Sequence, residues 1–279
     1  MKRRPMAPWR RWLAGGLVVL AAQGVLAGMP AADEATPPPE RPPWLARLRE
    51  DALALGSAPG GWRRGETRRL GLAVAAVAGT MLLDEEIREV VQRHRSASGD
   101  RVAEAIRPLG NRAGALALIA TLWASGRLSG EERLTAMGED AFEGTLFAAA
   151  LLTPILKRTV GRARPVAEEG AFRFEPFSSY QSFPSGEATQ AFVIASVVAA
   201  HSDRSWVDAL AWSYAAAIAW QRLNLDRHWA SDVVAGALIG TGVGRWVVRR
   251  RQPGSPPAQV TVFPVPVANG FGVSLAARW

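Results

Sequence analysis

The chain has 279 residues, 48% of them hydrophobic, which is enough to bury a substantial core in one large domain. Lysine and arginine outnumber aspartate and glutamate by 33 to 25, and the formal net charge of +8 favours anionic partners such as phosphates or acidic lipid surfaces. No basic patch interleaved with aromatic residues accompanies this charge, which argues against nucleic acid as a partner. The absence of cysteine excludes disulfides, so the fold depends on packing alone.

Two segments are predicted to precede the folded domain. Residues 1–27 combine a basic start, an apolar run and a small-residue site, which is the pattern of an export signal peptide. We therefore expect an exported protein, either periplasmic or associated with the membrane on its periplasmic face, with an uncleaved anchor helix as the alternative. Residues 28–43 are rich in proline, alanine and charge, and they predict a flexible spacer.

Six apolar runs follow, and they place one domain over residues 44–252. Alanine and leucine dominate the runs, so the predicted fold class is all-α, a helical bundle of about six core helices. None of the runs reaches the ~18 uninterrupted apolar residues of a bilayer-spanning helix, which favours a compact bundle over a polytopic protein, with short tilted spans as the alternative. The runs are 71–83, 113–124, 144–156, 188–200, 207–220 and 233–248.

The end of the chain changes character. Residues 258–279 alternate apolar and polar side chains around an Asn-Gly pair, Asn269 and Gly270. This combination is a hairpin signal. We expect a short C-terminal β-hairpin there.

Residues 157–165, KRTVGRARP, form the first of three segments suited to anion binding. Lys157 and Arg164 flank a glycine, and Pro165 ends the local helix. Taken alone, a basic helix end usually only complements the helix dipole.

Residues 183–192, FPSGEATQAF, form the second segment and predict the start of a helix. Ser185 is a natural N-cap, and Gly186 lets the backbone come close to a ligand. The free amides of a helix N-terminus bind anions, although an ordinary cap is the simpler interpretation of these residues alone.

Residues 221–232, QRLNLDRHWASD, form the third segment. His228 and Asp232 are four residues apart, and on a helix this spacing puts both on one face, where a carboxylate orients an imidazole. Arg222 is close enough in sequence to flank the same site. A structural histidine–aspartate pair, or Asp232 as a helix cap, is the alternative.

Together the three segments supply charge neutralisation and a nucleophile for phosphoryl transfer. A serine hydrolase built on Ser185, His228 and Asp232 is the rival interpretation. It does not need the three cations, and the sequence around Ser185 lacks the G-x-S-x-G nucleophile elbow.

In this order the segments resemble the three signature motifs of the type 2 phosphatidic acid phosphatase family, which shares its site with vanadium haloperoxidases. The resemblance implies that His228 attacks phosphorus to form a phosphohistidine while Asp232 orients its ring, with neither a metal nor another cofactor. It also implies a phosphate-binding set of Lys157, Arg164, Ser185, Gly186 and Arg222.

The second motif departs from the family at Glu187, where the family carries a histidine that acts as the general acid. Helix geometry places His201 roughly 20 Å away, at the far end of the helix that starts near Ser185, and His94 lies in a polar segment, so neither replaces it. Glu187 is therefore either the acid or a structural substitute. The helix dipole and nearby cations favour its charged form, whereas a bound phosphate dianion favours its protonated form.

The sequence thus predicts a metal-independent phosphatase acting on a phosphorylated small molecule or lipid, either a monoester or a pyrophosphate, with the membrane surface as a further candidate partner. The alternatives are an inactive family member that binds phosphorylated envelope lipids and a vanadate-dependent haloperoxidase. In the loop 166–182, the aromatic residues Phe172, Phe174 and Phe177 either line a lipid pocket or pack the loop.

Overall fold

The computed structural model describes residues 44–57, 64–251, 259–267 and 270–278. The predicted export signal, 1–27, and the spacer, 28–43, lie outside these residues. The α-helices are α1 (Trp44–Ser57), α2 (Arg64–Leu82), α3 (Asp84–Arg93), α4 (Ala97–Gly110), α5 (Arg112–Ser129), α6 (Glu132–Thr145), α7 (Thr153–Val160), α8 (Gly186–His201), α9 (Ser205–Asn224) and α10 (Ala230–Arg251).

The six predicted apolar runs all fall on helical segments, which confirms the all-α prediction. One run differs in detail, because 144–156 is divided among α6, a π-helical stretch (Leu146–Leu152) and α7. Pro154 stands in the first turn of α7 and has no amide hydrogen, so the α-helical hydrogen-bond ladder cannot continue unbroken through this point. The wider π-helical turn bridges the interruption, and such turns are frequent at functional sites.

Helix α8 forms the centre of the domain. It packs against α10, α9 and α6 and also touches α5. Its residues are apolar on nearly every side, which is typical of a helix buried all round. The main core cluster includes Ile119, Met137, Phe147, Val193, Ile194, Val197 and Val247.

Three glycines on α10 allow it to approach α8 closely. A Cβ atom at Gly236 would lie 2.6 Å from the carbonyl oxygen of Ser185, and one at Gly240 would lie 2.2 Å from that of Thr189. At Gly244 it would lie 2.3 Å from a serine hydroxyl of α8. This close packing brings the first turn of α10 against the first turn of α8, where the functional segments meet.

The N-terminal helices are less enclosed. Helix α2 contacts α10 and α3 but leaves apolar side chains exposed, including Leu72 at 61% and Val74 at 59%. None of the helices that the structure describes is both long and apolar enough to cross a bilayer. At the C-terminus, β1 (Gln259–Val267) pairs antiparallel with β2 (Gly270–Arg278), with Gln259 opposite Arg278.

Candidate phosphate-binding and catalytic site

A cavity of about 950 Å³ lies among α5, α6, the π-helical stretch, α7 and the start of α8. It brings together residues from all three predicted segments. Three predicted site residues, Ser185, Arg222 and Asp232, are buried and do not line it. The predicted residues that line it are Lys157, Arg164, Gly186, Glu187 and His228.

The first segment reaches the cavity through a sharp turn. Lys157 lies in the last turn of α7, and its Nζ donates to the carbonyl oxygens of Gln181 and Ser182. The helix ends at Gly161, whose φ is 58°, and a Cβ atom there would lie 1.8 Å from a backbone oxygen. Only glycine suits this position. The chain then turns so that Arg164 also lines the cavity.

Burial disfavours the protonated forms of Lys157 and Arg164. It lowers the pKa of Lys157 to about 8, and the positive charge of Arg164 contributes to the shift. Burial also lowers the pKa of Arg164, with a further contribution from Arg222. The cavity therefore presents partly desolvated cations, which bind an anion more strongly than solvated ones.

The second segment starts α8 as predicted. Ser185 is the N-cap, and its Oγ accepts from the amide of Ala188 at 3.5 Å. The Ser185 amide donates to the carbonyl oxygen of Asp232 at 2.9 Å, which joins this cap to α10. Since its side chain is buried and faces the helix, its predicted contact with phosphate stays a prediction, whereas Gly186 lines the cavity.

Glu187 forms an ion pair with Arg222. The guanidinium of Arg222 is buried in the last turn of α9 and donates to Oε2 of Glu187. The residue that replaces the family's histidine therefore engages one of the cations predicted to hold phosphate. This contact could not be read from the sequence, because the two residues are 35 positions apart.

His228 and Asp232 meet, but not in the way that the helix spacing predicts. Helix α10 begins at Ala230, so His228 lies in the preceding turn and only Asp232 is helical. The Asp232 carboxylate accepts from the amide of Trp229 at 2.9 Å. This bond caps the N-terminus of α10, so the helix begins after His228. Nδ1 of His228 lies 3.5 Å from Oδ2 of Asp232, beyond ordinary hydrogen-bond length.

The electrostatic environment keeps this pair in defined states. Burial lowers the pKa of His228 to about 4, Lys157 and Arg222 act in the same direction, and Asp232 opposes them. Burial raises the pKa of Asp232, but His228, Arg162 and the Ser182 hydroxyl outweigh it and hold that pKa below its usual value. At neutral pH the site thus contains a neutral imidazole beside a carboxylate anion.

Sequence reasoning missed three residues that contact Asp232 or its partners. Ser182 donates from Oγ to Oδ2 of Asp232 at 2.5 Å, and Arg162 donates to Oδ1 at 2.8 Å. Asp84, from α3, binds Arg162 on its other side. In the sequence, Arg162 stands two positions before Arg164 in the same basic segment, and Asp84 directly follows the apolar run 71–83. Neither position indicates a contact with Asp232 or its partners.

The aromatic residues of the loop 166–182 do not line the cavity. Phe174 packs against Arg162, whose guanidinium carbon lies 5.4 Å from the ring centroid. Phe172 and Phe177 are exposed, at 58% and 74%. Packing of the loop therefore explains Phe174, and the apolar side of the cavity comes instead from α5, α6 and the π-helical stretch.

The geometry assembles a nucleophile and cations around one concave site. A neutral histidine next to a carboxylate faces a space that Lys157 and Arg164 also line, and Gly186 brings the helix N-terminus there. Residues 142–254 match the family model of the PAP2 superfamily. This segment, less than half of the chain, is similar to the PAP2 superfamily. The match covers α7 to α10, and therefore all eight predicted site residues.

Two curated relatives have the same name, lipid A 1-phosphatase. Over 104 residues the chain is 35% identical to a lipid A 1-phosphatase of Rhizobium etli and 36% identical to the lipid A 1-phosphatase of Rhizobium johnstonii. Each match covers 34% of this chain, but only 43% and 41% of the respective relatives. The chain therefore matches less than half the length of these relatives.

A solved structure agrees with the PAP2 fold. The crystal structure of a transmembrane PAP2-type phosphatidylglycerolphosphate phosphatase from Bacillus subtilis superposes with a TM-score of 0.51 at 24% identity. The superposition covers 67% of this chain and 93% of that one. It supports the helical fold alone.

Proposed function

We propose that this protein is a metal-independent phosphatase that hydrolyses phosphate monoesters or pyrophosphates, lipid-linked ones included, through a phosphohistidine at His228. The observation that carries the proposal is the neutral, buried imidazole of His228 on the wall of a cavity that Lys157 and Arg164 also line. A neutral imidazole is nucleophilic, and the cations offset the negative charge of the transferred phosphoryl group.

The orientation of the His228 ring decides which of its two nitrogens attacks. Nδ1 of His228 faces Asp232, so Nε2 is the nitrogen that attacks phosphorus. The new N–P bond forms as the bond to the leaving oxygen breaks, and that oxygen takes up a proton unless it is stable as an anion. Water then attacks the phosphohistidine, releases inorganic phosphate, passes its proton to a base and restores the neutral imidazole.

Glu187 is the group that we assign to this proton transfer. In the resting protein it is paired with Arg222. An arriving phosphate competes for Arg222, and the dianion beside Glu187 favours protonation of its carboxyl group. Protonated Glu187 donates to the leaving oxygen and, as a carboxylate, later accepts the proton of the attacking water.

The cavity also supports a lipid-linked substrate. On the side formed by α5, α6 and the π-helical stretch the wall carries apolar side chains, and two of them, Leu116 and Phe142, also line an adjoining groove of about 540 Å³ along α5 and α6. The curated relatives are named as lipid A phosphatases. With the export pattern of residues 1–27, we propose that the enzyme acts on a phosphorylated lipid outside the cytoplasm.

The test is hydrolysis of an activated aryl phosphate and an alkyl phosphate by the purified mature protein. His228→Ala should reduce both to background, while His94→Ala, at an exposed histidine away from the cavity, should leave both unchanged. Glu187→Gln should spare the initial burst of aryl alcohol release but slow release of the alkyl alcohol by about 10²–10⁴-fold, because only the alkyl leaving group needs the acid; the water step that follows should slow for both substrates. Full activity of His228→Ala would refute the proposal.

The second candidate is an inactive member that binds phosphorylated envelope lipids. The Glu187–Arg222 ion pair favours it, because this pair occupies a cation that is predicted to bind phosphate, and Glu187 stands where the second motif usually carries a histidine. It predicts no turnover at any pH, with phosphate analogues still bound. It also predicts that no phosphoryl group becomes attached to His228.

A further inference from the structure

Arg162 is completely enclosed behind the cavity, and all of its donors are used. Nε and Nη2 donate to the carbonyl oxygen of Ala171 at 2.9 and 2.6 Å. Nη1 donates to Ser231 Oγ at 2.7 Å and to Asp232 Oδ1 at 2.8 Å. Nη2 also donates to Asp84 Oδ2 at 2.7 Å. A guanidinium has five N–H donors, and each one has an acceptor here.

Asp84 secures this arrangement from α3. Its Oδ1 accepts from the amide of Ser231 at 2.9 Å, and its Oδ2 accepts from the Ser231 hydroxyl at 2.5 Å as well as from Arg162. Both charged side chains have no exposure. Asp84 also lies outside the matched family segment, 142–254. The support of the site therefore extends beyond the part of the chain that carries the signature motifs.

Hydrogen bonds to both oxygens hold the Asp232 carboxylate in one orientation. Arg162 holds Oδ1, and the Ser182 hydroxyl and the Trp229 amide hold Oδ2. Rotation of the carboxylate would break at least one of these bonds. Nδ1 of His228 lies 3.5 Å from Oδ2.

The slot around Arg162 also requires a flat cation. Its guanidinium carbon lies 5.4 Å from the ring centroids of both Phe174 and Trp229. Arginine stacks on aromatic faces and binds several acceptors in one plane, whereas lysine does neither. The shape of the slot thus selects the residue that reaches Asp232 and Asp84 together.

We propose that Arg162 and Asp84 are positioning residues for His228 and act on it through Asp232. This inference rests on the proposed function, because positioning matters only if His228 attacks phosphorus. Asp84 also offsets the charge of Arg162, so its loss makes the surroundings of Asp232 and His228 more positive. The charged groups that face His228 are Asp232, Lys157 and Arg222, and the same cavity is also lined by Glu187 and by three arginines, Arg112, Arg158 and Arg164.

The experiment compares Asp84→Asn with the matched control Arg88→Gln. Arg88 also ties α3 to the turn before α10, through two bonds to Asp226 at 2.8 and 2.9 Å, and its guanidinium carbon lies 5.6 Å from the Trp229 ring centroid, but in the described part of the chain it forms no hydrogen bond or ion pair with Asp232. For Asp84→Asn we expect kcat to fall about 10–100-fold, the size typical of residues that orient a catalytic group, with little change in KM. The acidic limb of its pH profile should move to lower pH. Arg88→Gln should change neither.

Histidine NMR makes the test independent of turnover. The chain has three histidines, so the His228 resonance can be assigned with His228→Ala in isotope-labelled protein. We expect His228 to titrate at lower pH in Asp84→Asn than in the wild type. If the wild type hydrolyses nothing but this shift is seen, the proposed function fails while the coupling stands. Ser231→Ala should give the same changes at smaller size if Asp84→Asn does not fold.

Two results would overturn the inference. One is Asp84→Asn with wild-type kcat and an unchanged His228 titration. The other is a loss of activity that follows only the folded fraction, with the acidic limb unmoved, because a purely structural role predicts that outcome.

Discussion

Two buried networks in the helical domain each combine an arginine with carboxylates, but they differ in how many of their donors and acceptors have a hydrogen-bond partner. The Arg162 network consists of Arg162, Asp84, Ser231 and Asp232, and it lies behind the cavity. The Arg251 network consists of Arg251, Asp51, Asp140 and Glu143, and it joins the end of α10 to α1 and α6. Every donor of Arg162 has an acceptor, whereas Nε of Arg251 and Oε1 of Glu143 are buried without a partner among the described residues.

The difference appears in the protonation of the carboxylates. Burial raises the pKa of Glu143 to about 7, and the neighbouring Asp51 contributes to the shift. Asp232 is as deeply buried, yet its hydrogen bonds and neighbouring positive charges hold its pKa below the usual value. A fully satisfied network keeps a buried carboxylate ionised and fixed, which suits a site, while an incompletely satisfied one lets a carboxylate titrate near neutral pH.

Removal of Arg162 should have the largest effect. Arg162→Met leaves Asp84 and Asp232 buried without their common counter-ion, so we expect a loss of about 3–5 kcal/mol in the free energy of unfolding. Chemical denaturation of the purified protein measures it. Arg251→Met should cost less, because its network is already incomplete. Equal losses in the two variants would contradict the distinction.

Lys157 provides the next effect, since it belongs to neither network. Its Nζ donates to backbone carbonyls and forms no ion pair among the described residues. With the pKa of Lys157 near 8, kcat/KM should fall about tenfold per pH unit above that value, as the free enzyme loses a phosphate-binding charge. Lys157→Arg should move this limb upward by more than one pH unit. An unmoved limb would assign it to another group.

The acidic limb of the same profile reports His228. Its pKa of about 4 predicts that kcat/KM falls below that pH, because protonated imidazole cannot attack phosphorus. His228 also affects stability with a definite sign. The unfolded chain binds its proton near pH 6.5, so this residue makes the fold less stable as the pH falls from about 6.5 to 4. In His228→Gln that part of the acid sensitivity should be absent from denaturation curves.

Glu143→Gln should have the smallest effect, and its sign is opposite. Since the pKa of Glu143 is higher in the folded protein, its contribution to stability is fully present below about 4.5 and is lost as the pH rises through 7. The variant should remove a decline on the order of 1–3 kcal/mol between these pH values and leave kcat unchanged. Denaturation at pH 5 and pH 8 measures it. An unchanged pH dependence would show that Glu143 is ionised throughout.

Local patterns were enough to predict the helices, and five of the eight predicted site residues line one cavity. The apolar runs gave the helical segments, and the spacing within 157–165, 183–192 and 221–232 identified residues that the fold brings to one place. Asp84 and Arg162 could not be found in this way, because their roles depend on contacts across 78 and 70 positions, to each other and to Asp232. The Glu187–Arg222 ion pair could not be predicted either, because it joins residues 35 positions apart.

One further error had a local cause. The four-residue spacing suggested that His228 and Asp232 share a helix face. In the structure the Asp232 carboxylate accepts from the amide of Trp229, and α10 begins only at Ala230, after His228. The Asp232 carboxylate therefore both caps the first turn of α10 and faces the imidazole of His228. Periodicity alone does not separate these two geometries.

The most direct test of the account is a search for the covalent intermediate. The protein is mixed with an activated aryl phosphate, quenched within milliseconds under alkaline conditions that preserve phosphohistidine, and digested for mass spectrometry. The account predicts a phosphoryl group on His228 in the wild type and in His94→Ala, and none in His228→Ala. A phosphoryl group on another residue, or hydrolysis with no labelled histidine, would contradict it.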